Sequence, residues 1–246
     1  MKRLNKSLLL VLLMPLSSLF VSAQAQTQAQ VFPNKPLKIV VGFPPGGGSD
    51  LMARIVAEKM SVMLKQPVIV DNKPSANGVV AGEFVARAAP DGSVLGVGNT
   101  GTHAINATLY RKLAYDPVRD FVPVVNVFGA GLVLAANIKL EARTIRDIIA
   151  MSKAKPGSVN VAIAGATGEI ATNSIKAMAG IDMNNVPYKG GGEVAVQLVG
   201  KHIDATVNNP IEAVAQWRAG KLRPLCVFDD TRMPHKDKVT DTMSWY

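Results

Sequence analysis

The stretch IVVGFPPGGGSDLMAR, Ile39–Arg54, sets a strand, a glycine turn and a helix start side by side. Leu37–Val41 is a short apolar run rich in β-branched residues and closed by Gly and Pro, the pattern of a buried strand. Pro44 and Pro45 stiffen its exit, and Gly46, Gly47 and Gly48 follow without side chains. Leu51, Met52, Ile55, Val56 and Met60 then recur at helical spacing, with Ser49 or Asp50 placed to cap that helix. A strand running through a glycine turn into a helix N-terminus gathers backbone N–H groups around an anion. The stretch therefore predicts an anion-binding loop, most simply for a carboxylate, with a tight packing turn as the plainer alternative.

The usual nucleotide signatures do not fit. A P-loop needs Lys and then Ser or Thr after its last glycine, whereas Ser49-Asp50 stand here. The dinucleotide fingerprint needs a small residue, and a nucleophile elbow a glycine, where Leu51 stands. Asp50 would also repel a phosphate placed against it.

Outward from this stretch, Met1–Gln26 reads as an export signal. Lys2, Arg3 and Lys6 precede an apolar run, Leu8–Val21, and small residues around Ala23 and Ala25 offer a cleavage site, giving residues 1–25 as the signal. The apolar run is too short and too interrupted to span a bilayer, and a chain free of stable membrane insertion after cleavage is expected. Removing those three cations lowers the formal charge from +9 to +6. The remaining cations are scattered, which suits small acids and gives no stripe for nucleic acid. Cys226 is the only cysteine, so no internal disulfide can form, and it reads as a small apolar residue in a strand. His103, His202 and His235 lie far apart without carboxylates at ligand spacing, so no metal site and no cofactor are expected.

The rest of the chain alternates strands and helices, which predicts an α/β fold with mostly parallel sheets. Strands are expected at Pro67–Asp71, Val94–Val97, Val159–Ile163, Asn185–Pro187, Ile203–Val207 and Leu222–Phe228, with a helix over Val79–Ala89. Gly98–His103 is a small, hydroxyl-rich loop suited to a polar ligand end, or a helix start capped by Thr102. The apolar stretch Val122–Ala136, broken at Gly129 and Gly131, reads as the crossing between a first domain, 26–126, and a second, 127–226, with 227–246 returning to the first. Thr144 and Asp147 resemble a capping box. Asn209, Pro210 and Glu212 give an N-cap, a first-turn proline and the far corner of a second box.

Two α/β domains with turns at their strand ends imply a hinged cleft whose ligand meets N–H groups and hydroxyls. No nucleophile–base–orienter set is evident, so no catalytic residue is assigned. The competing reading is an exported hydrolase using Asp50 or Glu169, two acids that helix-dipole preferences explain more simply.

Pro36–Arg54, Gln66–Pro74 (QPVIVDNKP), Ala86–Gly92 (ARAAPDG), Asn99–Phe121 (NTGTHAINATLYRKLAYDPVRDF) and Val186–Gly190 (VPYKG) together resemble the substrate-binding proteins of tripartite tricarboxylate transporters, the Bug receptors. With Ala219–Arg223 the resemblance spans essentially the whole mature chain. It implies a periplasmic-binding-protein-like fold with a hinged cleft, a periplasmic location, and a monomer that catalyses nothing. It implies capture of a small carboxylate, a di- or tricarboxylate or related acid, for delivery to membrane transporter subunits. A receptor that signals to a sensor partner is the alternative of the same form. The implied binding residues are Phe43, Pro45, Gly46 and Gly47, then Thr100 and Thr102, in the first domain. In the second they are Ala164, Gly165, Thr167, Tyr188 and Asn208.

Two local departures stand out. Asn208 replaces an Asp common in the family, which removes a charge that would meet a ligand ammonium. Thr167-Gly168 replaces the usual Gly-Ser, and Ala171 a usual His. The chain also stops at Ser244-Trp245-Tyr246, short of the family's C-terminus, so an exposed sheet edge and uncovered apolar surface are expected in the first domain.

Overall fold

The computed structural model describes residues 32–129 and 131–229. The expected export signal and the segment 230–246 lie outside the described residues. Two sheets carry the fold. In the first, β1 (Leu37–Val41) lies between β2 (Val68–Asn72) and β3 (Val94–Gly96), all parallel. Helix α1 (Gly48–Leu64) links β1 to β2, and α2 (Val79–Ala86) links β2 to β3. Ile39 and Val41 point to the α1 side and bury with Ala53 and Ala57, flanked by Val56, Met60, Val68 and Val70. The period-2 alternation of a strand thus meets the small face of a 3.6-period helix.

The second sheet has five strands in the order β6-β5-β7-β4-β8. They are β4 (Leu132–Asn137), β5 (Asn160–Ala164), β6 (Asn184–Tyr188), β7 (Ala205–Asn208) and β8 (Leu222–Phe228). β5 runs parallel to β6 and β7, while β4 is antiparallel to both β7 and β8. Pro224 has no N–H to give, and the β4–β8 register shifts between Leu134 and Ala135 beside it. Helices α4 (Ile145–Ala154) and α5 (Ala166–Ala179) supply Ile145, Ile148 and Ile175 to one face, where Leu134, Val161, Val207 and Cys226 are buried. Helices α6 (Gly191–Val199) and α7 (Pro210–Arg218) cover the other with Val194, Leu198 and Ala213 around Ala162 and Leu222. Both faces of this sheet are covered, as its near-continuous apolar strands require.

Local signals place several boundaries. Thr144 accepts from Asp147 N–H while the Asp147 carboxylate accepts from Thr144 N–H, a complete capping box. Asn209 caps α7, with Pro210 in its first turn. Three expectations differ. Helix α1 begins on Gly47 without any side-chain cap, so neither Ser49 nor Asp50 serves as one. Thr102 is not a cap either: its own N–H donates to Asn99 Oδ1 at 2.9 Å, at the start of a π-turn, Gly101–Ile105, that continues into α3 (Asn106–Leu109). Residues 122–129 of the apolar crossing form neither helix nor strand and are exposed, and regular structure resumes only at Leu132.

Candidate functional site

The loop leaving β1 is held from beneath by Asp50, which is 2% exposed. Its Oδ2 accepts from Gly46 N–H at 2.8 Å and Arg54 Nε at 2.9 Å, and its Oδ1 from Asn72 Nδ2 at 2.9 Å. The same Asn72 amide donates to Phe43 O at 3.1 Å. Burial pushes the Asp50 carboxyl up, but the bonds from Arg54, Gly46 and Asn72 and the Arg54 charge outweigh it, so it lies below the usual carboxylate range. Gly46 takes φ +81°, a conformation that glycine alone adopts freely. Asp50 therefore acts as a clamp on Phe43–Gly47, a task that leaves it poorly suited to the base of a hydrolase. Glu169 lies exposed on α5.

The second loop, after β3, is built on a buried polar cluster. Thr102, 3% exposed, accepts from Asn99 N–H at 2.9 Å, and its hydroxyl meets His103 Nδ1 at 2.8 Å. Tyr115 OH donates to Thr102 O at 2.7 Å and accepts from Asn106 Nδ2 at 3.1 Å. Phe121 packs edge-on against His103 and Tyr115, with centroids 4.7 and 5.6 Å away. This explains why GTHAIN and YDPVRDF occur together: the second motif is the support of the first. Burial depresses the His103 pKa. Thr100 is exposed, whereas the Thr102 hydroxyl is engaged within its own loop.

The remaining expected residues lie at the C-terminal ends of β5, β6 and β7. Ala164 ends β5, Gly165 (φ +82°) turns the chain into α5, and Thr167 sits in the first turn of that helix. Tyr188 ends β6 before Gly190, and Asn208 ends β7. All five loops thus leave the same ends of their parallel strands, where open α/β sheets bind ligands.

The structure brings the loops of the two sheets into contact. A Cβ placed on Gly190 would lie 3.1 Å from Pro44 Cδ, and one on Gly192 would lie 3.1 Å from Gly46 O. One on Gly101 would come within 4.0 Å of Thr167 Oγ1. Among the described residues, two polar contacts cross between the sheets. Asn77, in the turn before α2, accepts from Ala166 N–H at the start of α5 at 3.0 Å. Glu212 accepts from Gly48 N–H at the start of α1 at 2.7 Å. Glu212 therefore does not complete a capping box on its own helix. Its second oxygen is buried against Gly191, with the Asn208 amide close enough to favour its charge but not in hydrogen-bonding geometry. Burial raises its pKa despite the Gly48 and Asn208 groups.

Asn72, Arg54, Asn77, Asn99 and Glu212 are the site residues that sequence reasoning missed. The Asp50–Arg54 spacing of four was a usable signal for a helical ion pair. Asn99 lies inside the Gly98–His103 loop and Glu212 reads as a capping-box acid, whereas nothing local announces Asn72 or Asn77. Among the described residues no group of His, Cys, Asp and Glu could hold a metal ion, and no helix is long and apolar enough to cross a membrane.

An α/β fold of two mostly parallel sheets with apposed strand-end loops is that of the periplasmic binding proteins, and comparisons with known proteins agree. A sequence model of the tripartite tricarboxylate transporter family receptor matches residues 52–243, and the chain belongs to that family. It is 34% identical to BugT of Bordetella pertussis over 214 residues, covering 86% of this chain and 66% of that protein. A Cupriavidus necator protein is 33% identical over 212 residues, with 85% and 63% covered. The chain thus spans slightly less than two thirds of the length of these relatives. Among solved structures, a periplasmic transporter superposes with a TM-score of 0.80 at 34% identity, over 85% of this chain and 70% of that one. An adipate-bound protein of R. palustris gives 0.79 at 30% identity over 82% and 68%. Malate-bound MatC of Rhodopseudomonas palustris gives 0.75 at 30% identity over 82% and 69%.

Proposed function

We propose that this chain is the periplasmic receptor of a tripartite tricarboxylate-type transporter, capturing a small carboxylate between its two sheets and delivering it to membrane transporter subunits without catalysis. The observation that carries this reading is the Phe43–Gly47 loop. Its backbone is pinned from below by Asp50, which leaves its other side to a ligand. The loops of Thr100–Thr102, Ala164–Thr167, Tyr188 and Asn208 approach it from both sheets, offering N–H groups and hydroxyls rather than formal cations. Such groups can hold a carboxylate through oriented dipoles. Relatives bound to adipate and malate support a dicarboxylate as the ligand. In this reading 26–126 and 127–226 are the two lobes of the trap, the exported chain is monomeric, and closure on the ligand is what the membrane partner detects.

A thermal melt of the exported protein with adipate, malate, citrate, benzoate and glutamate tests this. An acid at about a hundred times its dissociation constant adds about 2.7 kcal/mol of stability, a clear rise in melting temperature. A rise with one class of acid, with no consumption of that acid on prolonged incubation, supports the receptor. Turnover of any of them at an enzymatic rate overturns it.

A further inference from the structure

The two cross-sheet contacts have a common form. Helix α1 starts in the loop assigned to a ligand carboxylate, and its Gly48 N–H is taken by Glu212 from the other sheet's α7, at 2.7 Å. Helix α5 starts in the loop assigned to the ligand's other end, and its Ala166 N–H is taken by Asn77 from the first sheet's side, at 3.0 Å. Each helix N-terminus thus holds an acceptor supplied by the opposite half of the molecule. The fit at Glu212 is close. A Cβ on Gly48 would lie 2.7 Å from Ile211 Cγ2 and 3.2 Å from Glu212 Oε1, and one on Gly191 would overlap the Glu212 carboxylate. Glycines at 48 and 191 therefore make room for the first turn of α7.

We propose that Glu212 is the internal competitor that sets ligand affinity: its carboxylate holds the α1 N-terminus and must leave when a ligand carboxylate takes that place, with Asn77 as its neutral counterpart at α5. This rests on the receptor reading of the same loops. A single N–H cannot serve two carboxylates in full, and a positive helix end favours whichever anion it holds. Only the fraction of molecules with Glu212 withdrawn is competent, so apparent affinity falls by that fraction. The same contact joins the two sheets, so a ligand that displaces it exchanges one bridge for another.

The test uses the exported protein and its Glu212→Ala, Glu212→Gln and Asn77→Ala variants, with retained folding checked by a cooperative melt. Without any ligand, amide hydrogen exchange is followed across 43–52 and 164–170. Adipate and malate are then titrated by calorimetry. Glu212→Ala is expected to speed exchange at Gly48, and Asn77→Ala at Ala166, each by about tenfold, as loss of a competent-state bias of that size requires. Glu212→Ala and Glu212→Gln, which keeps the shape but not the charge, should both bind the dicarboxylates more tightly. Unchanged exchange in Glu212→Ala, or dicarboxylate affinity equal to or weaker than wild type in both Glu212 variants, overturns the proposal. Should Glu212→Ala fail to fold, Gly191→Ala displaces the carboxylate by crowding and serves the same measurement. If neither acid binds the wild type, the dicarboxylate reading fails, while the exchange data still decide whether Glu212 holds the loop.

Discussion

At the scale of single residues, Asp50, buried, and Glu212, half-buried, are two carboxylates shifted in opposite directions. Asp50 is satisfied by three donors, and its removal strands Gly46 N–H and Arg54 beneath the loop. Asp50→Ala is expected to cost about 1–3 kcal/mol in urea unfolding, because donors are left unpaired, and to weaken carboxylate binding by loosening Phe43–Gly47. The two groups also give stability opposite dependences on pH. The folded Asp50 titrates below its unfolded value, so its contribution is complete above the ordinary carboxylate range and is lost as pH falls through the depressed titration. Folded Glu212 titrates above its unfolded value, so its ionisation costs stability as pH rises through that elevated range, and acidification from neutrality regains it. Denaturation at neutral and mildly acidic pH should show that gain in wild type and not in Glu212→Gln. An identical slope in both proteins would assign the gain to another group.

Elements whose signals are local were legible in the sequence. The Thr144–Asp147 box, the Asn209-Pro210 start of α7 and the full extent of β8, Leu222–Phe228, were all read from adjacent residues. Thr144→Ala should therefore cost about 1 kcal/mol, and Asn209→Ala a similar amount, as loss of a cap does. A denaturation midpoint with unchanged slope checks both. What was not legible depends on partners distant in the chain. Glu212 sits where a capping-box acid belongs, yet its oxygen goes to an amide 164 positions away. Asn99, rather than Thr102, secures the start of the Gly101 turn because its side chain folds forward three residues onto an N–H. Helix α1 needs no cap from Ser49 because α7 serves its N-terminus with Glu212. Gly165 is a case between the two kinds: the sequence marks a turn, but its φ of +82° emerges only from the structure. Gly165→Ala should strain that turn, displace the α5 N-terminus from Asn77, and weaken ligand binding more than it lowers the melting temperature.

At the scale of the whole molecule, the described residues clothe the two sheets unequally. The five-stranded sheet is covered on both faces, whereas beyond the three-stranded one runs a segment with Val122, Val124 and Val125 exposed at 86, 78 and 74%. Such a concentration of exposed apolar side chains favours self-association. The V122K/V124K double variant is expected to bind less of an apolar-surface dye and to aggregate more slowly on heating, while its cooperative melt is retained because neither valine is in a core. A dye signal unchanged by the two lysines would place the adhesive surface elsewhere.

Strand β4 lies between β7 and β8, both of which are made long after it. Its hydrogen bonds to β7 are therefore unavailable until the chain has been synthesised past Asn208, some seventy residues after β4 ends, and those to β8 until it reaches Phe228. Pairings of such long sequence separation form slowly. For a chain whose first residues read as an export signal, this delay would be useful, because threading through a membrane pore requires an unfolded polypeptide. A fragment ending at Lys221 should be digested rapidly within 132–208, and one ending at Asp229 should resist. The placement of one antiparallel strand would thus act as a timer, postponing the folded state until the chain has had its opportunity to cross.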